Sequence, residues 1–352
     1  MNLIERLAIE LPLIQAPMTG TSTPAMAAAV SNAGGLGSLG VGSTDAAGAR
    51  KMIAAVRERT ARSLHVNVFC HAPAQPNASV EAAWIARLAP DFERFGARPP
   101  AALRETYQSF VTDDAMLALL VEAKPTVVSF HFGLPPAERI AALRDAGIAL
   151  VGSATNLDDA HALVDGGVHA VIAQGYEAGG HRGVFDPDAP DDQLGTMALT
   201  RILVRELPVP VIAAGGIMDG AGIAAVLRLG ASAAQLGTAF VATPESDADA
   251  GYRRALASDA AHHTVMTRAI SGRPARCLAN RFTALGAELA TCEVPAYPIA
   301  YDAGKALHMA AKAAGETGYG AQWAGQGAPL ARAMPAGDLV LRLKEEMNAA
   351  AR

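Results

Sequence analysis

Apolar residues in this chain fall into short unbroken runs, separated by longer stretches in which apolar and polar positions alternate with a helical period. Eight runs read as strands: Leu13–Met18, Leu36–Leu39, Leu64–Phe69, Thr126–Phe132, Ala149–Ser153, Ala170–Ala173, Val209–Ala213 and Ala233–Leu236. Most are apolar throughout, the pattern of parallel strands buried on both faces. The Ala/Leu-rich helices between them stop in a repeated way. Asn32-Ala33-Gly34-Gly35, Asp145-Ala146-Gly147, Asp165-Gly166-Gly167 and Leu229-Gly230 each place a glycine where a helix gives way to a strand. Glycine can take the left-handed conformation that closes a helix C-terminus. Starts are marked as well: Thr23 can cap with Pro24 in the first turn, and Asp219 precedes the helix through Ile223 to Leu229.

Eight such units in about 240 residues predict a (β/α)8 TIM barrel. An open doubly wound sheet is the alternative, but no Gly-x-Gly-x-x-Gly opens the first helix. Two segments exceed a simple barrel. Residues 74–123 carry a helical pattern between the third and fourth strands. Residues 243–312 are richer in polar and aromatic residues and read as a small, mainly helical inserted subdomain that covers the active site. The barrel then comprises residues 1–242 and 313–352, and Met334–Ala351 ends the chain in an amphipathic helix pattern.

Composition narrows the function classes. Apolar residues make up 51% and charged ones 18%, enough for a large core and too apolar for a disordered chain. The net charge of −5, with no long basic block, argues against nucleic acid as a partner. Cys70, Cys277 and Cys292 show no CxxC spacing and leave one over from any pair, so neither a disulfide framework nor a zinc site is expected, and a reducing cytoplasm fits. The first dozen residues have an early acid and no long apolar core, unlike a secretory signal. Apolar runs are broken before about 18 residues, so no membrane span is expected.

In a barrel the chemistry belongs to the C-terminal strand ends. Here those ends carry Gln15-Ala16-Pro17-Met18, Asn67, His131, Gln174, Gly215-Gly216 and Gln235-Leu236-Gly237-Thr238. Loops after the seventh and eighth strands often hold a phosphate on bare amides. Gly215-Gly216 and Gly237-Thr238 sit at those places with no Lys or Arg beside them, although glycines there can also merely turn the chain. Asn67, Gln174 and Gln235 offer amides that suit a flavin ring or ribityl chain; each can equally be a buried amide satisfied by backbone. The segment Ala173–Gly183 has four glycines in nine residues and one titratable group, His181, which suits a catalytic role better than packing. Glu177 and Arg182 in the same loop read as a structural pair or as solvated charges. His65, His71, His161, His169 and His308 belong to no constellation, and His262-His263 lacks partners for a metal.

Taken together, Gln15-Ala16-Pro17-Met18, Asn32-Ala33-Gly34-Gly35-Leu36-Gly37, the Ala173–Gly183 segment, Ala213-Ala214-Gly215-Gly216-Ile217 and Gln235–Thr238 resemble the nitronate monooxygenases, formerly 2-nitropropane dioxygenases. The resemblance runs from about residue 12 to the end and includes Tyr297–Lys305 and Gly318–Trp323. It implies a class I FMN enzyme that oxidises alkyl nitronates such as propionate 3-nitronate with O2, via a flavin semiquinone, to a carbonyl compound and nitrite. It implies FMN contacts from Met18, Asn67, Gln174, Gly179, Gly216, Gln235, Leu236, Gly237 and Thr238. It makes His181 the catalytic residue, either holding the nitronate or acting as a base. It places His131, Tyr297, Tyr301 and Lys305 around the substrate; Tyr301 and Lys305, four apart, share a face if helical, though an ordinary helix surface has the same spacing. Two other functions fit the same scaffold: an FMN-dependent NAD(P)H:quinone or enoyl-thioester reductase, and a flavin-binding protein without turnover.

Overall fold

The computed structural model describes residues 2–287 and 289–351. Its strands, in chain order, are β1 (Leu13–Gln15), β2 (Gly37–Gly40), β3 (Leu64–Phe69), β4 (Val127–His131), β5 (Ala149–Ala154), β6 (Ala170–Gln174), β7 (Gly180–His181), β8 (Val211–Ala214), β9 (Ala233–Leu236), β10 (Thr264–Thr267) and β11 (Ala275–Leu278). Eight of them form one parallel sheet in the order β1-β9-β8-β6-β5-β4-β3-β2. A bridge between Ile14 and Leu36 joins its two edges, with Gln15 N–H donating to Leu36 C=O and Leu36 N–H to Leu13 C=O, both at 2.9 Å. The sheet is thereby a (β/α)8 barrel. The glycines predicted to close helices do so with left-handed backbone: φ is +95° at Gly34, +83° at Gly147, +87° at Gly167 and +103° at Gly230. Thr23 Oγ1 accepts from Met26 N–H at 3.1 Å, and the Asp219 carboxylate from Gly222 N–H at 2.8 Å. Among the described residues no helix is long and apolar enough to cross a membrane.

The barrel interior is a packed apolar layer of Ile14, Leu36, Val151, Ile172 and Ile212. Leu3 and Leu7, from the helix Leu3–Leu7, join this layer beside Val127, Ala149, Ala170 and Ala233, each the first residue of its strand. That short helix therefore plugs the N-terminal end of the barrel and leaves the C-terminal end as the open mouth. The last helix, Ala336–Ala350, packs Leu339, Val340 and Leu343 against Met26, Val30, Ile223 and Val226, completing the outer ring.

A second apolar cluster covers the mouth. It joins Trp84, Leu88 and Phe92 of helix Ala78–Arg94 to Tyr107, Phe282, Tyr297, Tyr301, Leu307 and Tyr319. Residues 243–312 contribute short helices, the antiparallel pair β10–β11 and most of the long helix Ala300–Ala313. Two local differences from the sequence expectation matter for the site. The first strand stops at Gln15 rather than Met18, because Pro17 has no N–H with which to continue a ladder. Gly180 and His181, expected in a freely bending loop, form β7 and pair with Arg276 and Ala275 of β11. Gly180 makes the turn into that pairing with φ +75°. The His181 segment is thus strapped to the cover by backbone hydrogen bonds.

Candidate functional site

A cavity of about 530 Å³ opens at the C-terminal ends of the barrel strands, within the usual range for small-molecule sites. Met18, Asn67, His131, Gln174, Gly179, His181, Gly216, Gln235, Gly237 and Thr238 line it from the barrel; Tyr297, Tyr301 and Lys305 line it from the cover. Leu236 is the one predicted residue that does not. Its side chain lies in the apolar cluster under the last helix, and its carbonyl accepts from Ala16 N–H at 2.8 Å. Tyr107 and Ser129 also line the cavity and went unnoticed in the sequence, with no local pattern to single them out; Trp323, which lines it too, was read only as the end of the Gly318–Trp323 motif and given no place in the site.

His181 sits among rings: Trp323 at 5.2 Å, Tyr297 at 5.5 Å, Phe132 at 5.6 Å and Tyr301 at 5.9 Å between centroids. Its Nε2 is 2.9 Å from Ser271 Oγ. Burial, with His131, Arg273 and His71 nearby, pushes its pKa down to about 3, so the ring is neutral at pH 7. Two side chains fix its backbone. Gln174 Nε2 donates to His181 C=O at 2.9 Å, while Gln174 Oε1 accepts from Gly183 N–H at 2.7 Å. His131 Nε2 lies 3.2 Å from the same carbonyl, which can only accept, so that nitrogen carries the proton. Burial lowers the His131 pKa to about 4. The amide of Gln174 thus clamps both sides of the His181 turn.

Glu177 and Arg182 do not pair with each other. Glu177 accepts from Thr196 N–H at 2.8 Å and from its hydroxyl at 2.9 Å, which satisfies the start of helix Thr196–Glu206 where Gly195 has no side chain to cap with. Arg182 is buried, grips Asp191 with Nε at 2.7 Å and Nη2 at 2.9 Å, and donates to Gln174 C=O. Both charges therefore hold the turn that carries His181.

The rest of the cavity divides by chemistry. Gly215 and Gly216 have φ +119° and +68°, and among the described residues the Gly216 N–H has no protein acceptor. A Cβ on Gly237 would lie 3.5 Å from Ala16 Cβ and 3.7 Å from Met18 Sδ, in ordinary contact with the first loop. Thr238 Oγ1 accepts from Gly325 N–H at 3.0 Å and keeps its proton to donate. Gly179 is different: a Cβ there would lie 2.4 Å from Gly325 N, so its bareness serves contact with residues 324–325. Among the described residues, neither the buried Gln235 Oε1 nor, on the cover side, the buried Tyr297 hydroxyl has a protein partner, and burial raises the Tyr297 pKa well above the usual tyrosine value. Lys305 Nζ lies 4.3 Å from the Tyr107 ring centre and 5.6 Å from that of Tyr301. Burial lowers the Lys305 pKa, with Asp302 opposing.

The model of the nitronate monooxygenase family matches residues 1–346 of the chain. A nitronate monooxygenase of Paraburkholderia phytofirmans is 63% identical over 98% of this chain and 94% of its own length. One from Pseudomonas aeruginosa is 50% identical over 97% of each. Among solved structures, a nitroalkane oxidase of Streptomyces ansochromogenes superposes with TM-score 0.90 at 41% identity, covering 99% of this chain and 98% of its own. FabK from Thermotoga maritima superposes with TM-score 0.72 at 28% identity, covering 99% and 96%.

Proposed function

The chain belongs to the nitronate monooxygenase family of oxidoreductases, and on that premise we propose that it oxidises alkyl nitronates such as propionate 3-nitronate with O2, giving a carbonyl compound and nitrite, with FMN held in the barrel mouth. The observation that carries this reading is His181: a neutral imidazole on a doubly clamped turn, facing a cavity ringed by aromatic side chains.

The residues present fit FMN. The pyrimidine edge of a flavin alternates hydrogen-bond acceptors with a donor. The orphaned Gln235 Oε1 is an acceptor in need of such a donor, and Asn67 adds a second amide to the cavity wall. Gly216, Gly237 and Thr238 would take the phosphate on backbone amides and one hydroxyl. Met18 would lie against the ring, and Gln174 would act on the flavin's surroundings chiefly by holding the His181 turn. When bound, FMN supplies the electron-accepting chemistry.

The protein's own part is to bind, orient and shield. Among the described residues Ser271 is the one hydrogen-bond partner of the His181 ring, through Nε2. Rotation of the Ser271 hydroxyl selects the tautomer, since the Arg273 carbonyl 3.2 Å away offers it another acceptor. With the hydroxyl turned to His181, Nδ1 carries a proton and donates to a nitronate oxygen. With it turned to Arg273, Nδ1 is a free base that can take the α-proton of a nitroalkane. Tyr297 and Lys305 add a hydroxyl and a positive charge on the anion's far side. Residues 243–312 act as the cover that excludes water.

The test is the visible spectrum of the purified protein, then O2 uptake with propionate 3-nitronate set against anaerobic bleaching by NADH. His181→Asn should keep the flavin spectrum and lose most turnover; near-normal turnover would remove His181 from the mechanism. Rapid bleaching by NADH without nitronate-dependent O2 uptake would make the protein a reductase, and a protein left colourless after FMN is added would end the reading.

A further inference from the structure

Under the cavity floor runs a chain of buried polar groups that the barrel does not need for packing. Gln15, Ser38, His65, Asn67 and Ser129 are all no more than 4% exposed. Ser38 N–H donates to Gln15 Oε1 at 2.8 Å, and Gln15 Nε2 donates to Ser22 Oγ at 2.8 Å and to Ala16 C=O. Ser38 Oγ is 2.8 Å from His65 Nδ1, His65 Nε2 is 2.6 Å from Ser129 Oγ, and Ser129 Oγ is 2.7 Å from the Asn67 amide oxygen. Backbone pairing brings them together: Ser38 stands beside His65 in the β2–β3 ladder, and Asn67 beside Ser129 in the β3–β4 ladder.

Two proton arrangements are conceivable. In one, the Ser38 hydroxyl donates to Nδ1, Nε2–H donates to Ser129, and the Ser129 hydroxyl donates to Asn67. In the other every arrow reverses, and the Asn67 amide presents its oxygen to the cavity. The second leaves the Ser38 hydroxyl proton without an acceptor, because among the described residues His65 Nδ1 is the one side-chain or backbone group bonded to that hydroxyl. An unsatisfied buried donor is costly. The first arrangement places every proton. Burial also keeps His65 neutral, with its pKa pushed down to about 3, so the ring carries a single N–H and must choose.

We infer that Ser38, His65 and Ser129 form a one-way hydrogen-bond relay that locks the Asn67 amide with its NH2 towards the cavity, making His65 and Ser129 positioning residues for the cofactor. Asn67 lines the cavity, and among the described residues the one hydrogen bond of its side chain is the bond that its amide oxygen accepts from Ser129. Its donor then meets an acceptor of the flavin edge, while Gln235 Oε1 meets a donor. The inference rests on the FMN reading only for what the amide contacts; the direction of the relay stands apart from it.

Two measurements test it. Long-range proton–nitrogen spectra of histidine-labelled protein, with the His65 signals assigned by their loss in His65→Phe, should show the Nε2–H tautomer from pH 5 to 8. The Nδ1–H tautomer would overturn the relay whatever the ligand. Then FMN affinity of the apoprotein is titrated in a cycle of Ser129→Ala, Asn67→Ala and the double variant, with Ser38→Ala as a gentler variant at the far end of the relay. Each single change should weaken FMN by about tenfold, and the double variant should be no weaker than Asn67→Ala alone, because Ser129 acts through Asn67. Effects that multiply, or an unchanged affinity in Ser129→Ala and Ser38→Ala, would overturn it. Failure of the unaltered apoprotein to bind FMN would instead sink the cofactor reading.

Discussion

Replacing Gln174 by leucine separates two roles for this residue, as a contact for the cofactor and as the clamp of the His181 turn. Leucine has a similar volume but no polar atoms. The change leaves the Gly183 N–H, which is buried, without its 2.7 Å acceptor. An unsatisfied buried donor costs about 1–3 kcal/mol. It also removes the 2.9 Å bond to His181 C=O, but that carbonyl keeps His131 at 3.2 Å, so this loss is nearer the ordinary net value of about 1 kcal/mol. Together Gln174→Leu should destabilise the protein by about 2–4 kcal/mol, read as a lower urea midpoint with an unchanged m-value.

The functional effect follows from which group is released. The backbone at and just after His181 loses two tethers, while the amides proposed for the phosphate and the Asn67 and Gln235 side chains are untouched. A misplacement of about 1 Å can cost on the order of 100-fold in rate. Nitronate-dependent O2 uptake should therefore drop by about 10- to 100-fold in kcat/KM, with FMN affinity within about threefold of the unaltered protein. The opposite pattern, a large loss of FMN affinity with the turnover of the loaded enzyme preserved, would refute the clamp and make Gln174 a cofactor ligand.

Two other outcomes can be checked without knowing the substrate. His65 and His71 are buried and have pKa values depressed to about 3 and about 4, so the unfolded chain binds protons on them that the folded protein does not. Their stabilisation is complete above about pH 6.5 and is lost as pH falls towards those folded values; at pH 5.5 each should have cost about 1.4 kcal/mol. Denaturation at pH 7.5 and 5.5 should show a fall of at least about 3 kcal/mol, to which His131 and His181, depressed in the same way, add, and His71→Phe should flatten the slope by one proton; a stability independent of pH over that range would contradict it. Among the thiols, Cys70 and Cys277 are buried, with burial raising both and holding Cys277 at about 12, while Cys292 is exposed. A thiol reagent should label one cysteine quickly in the native protein and three after denaturation, and more than one fast equivalent would refute the packing described here.

How far these properties were legible in the sequence depends on the range of the interaction behind each. Leu64–Phe69 and Ala233–Leu236 were read with their observed bounds because a strand buried on both faces carries its signal in every residue. The hairpin β10–β11 was not read: its two four-residue runs lie in a polar stretch, and only Gly272-Arg273-Pro274 between them hints at a turn. β7 has two residues and no period, and it exists because β11 offers it an edge about 95 residues further on. The strand-end residues were found because the barrel rule fixes where strands point, and all of them but Gln15 and Leu236 line the cavity. What the rule cannot supply is who uses each group. Arg182 is charged in any reading of the sequence, yet its partner is Asp191 and not the nearer Glu177. The neutrality of His181 comes first from its burial under the cover, with smaller contributions from His131, Arg273 and His71 on three other segments. Gly179 makes the point most sharply. The sequence demands a bare backbone there, and a ligand is the natural inference in a loop beside the histidine proposed for catalysis. The surface that forbids a Cβ is instead Ala324–Gly325, on the segment that carries Trp323 against the His181 ring, so this glycine helps to build the pocket wall.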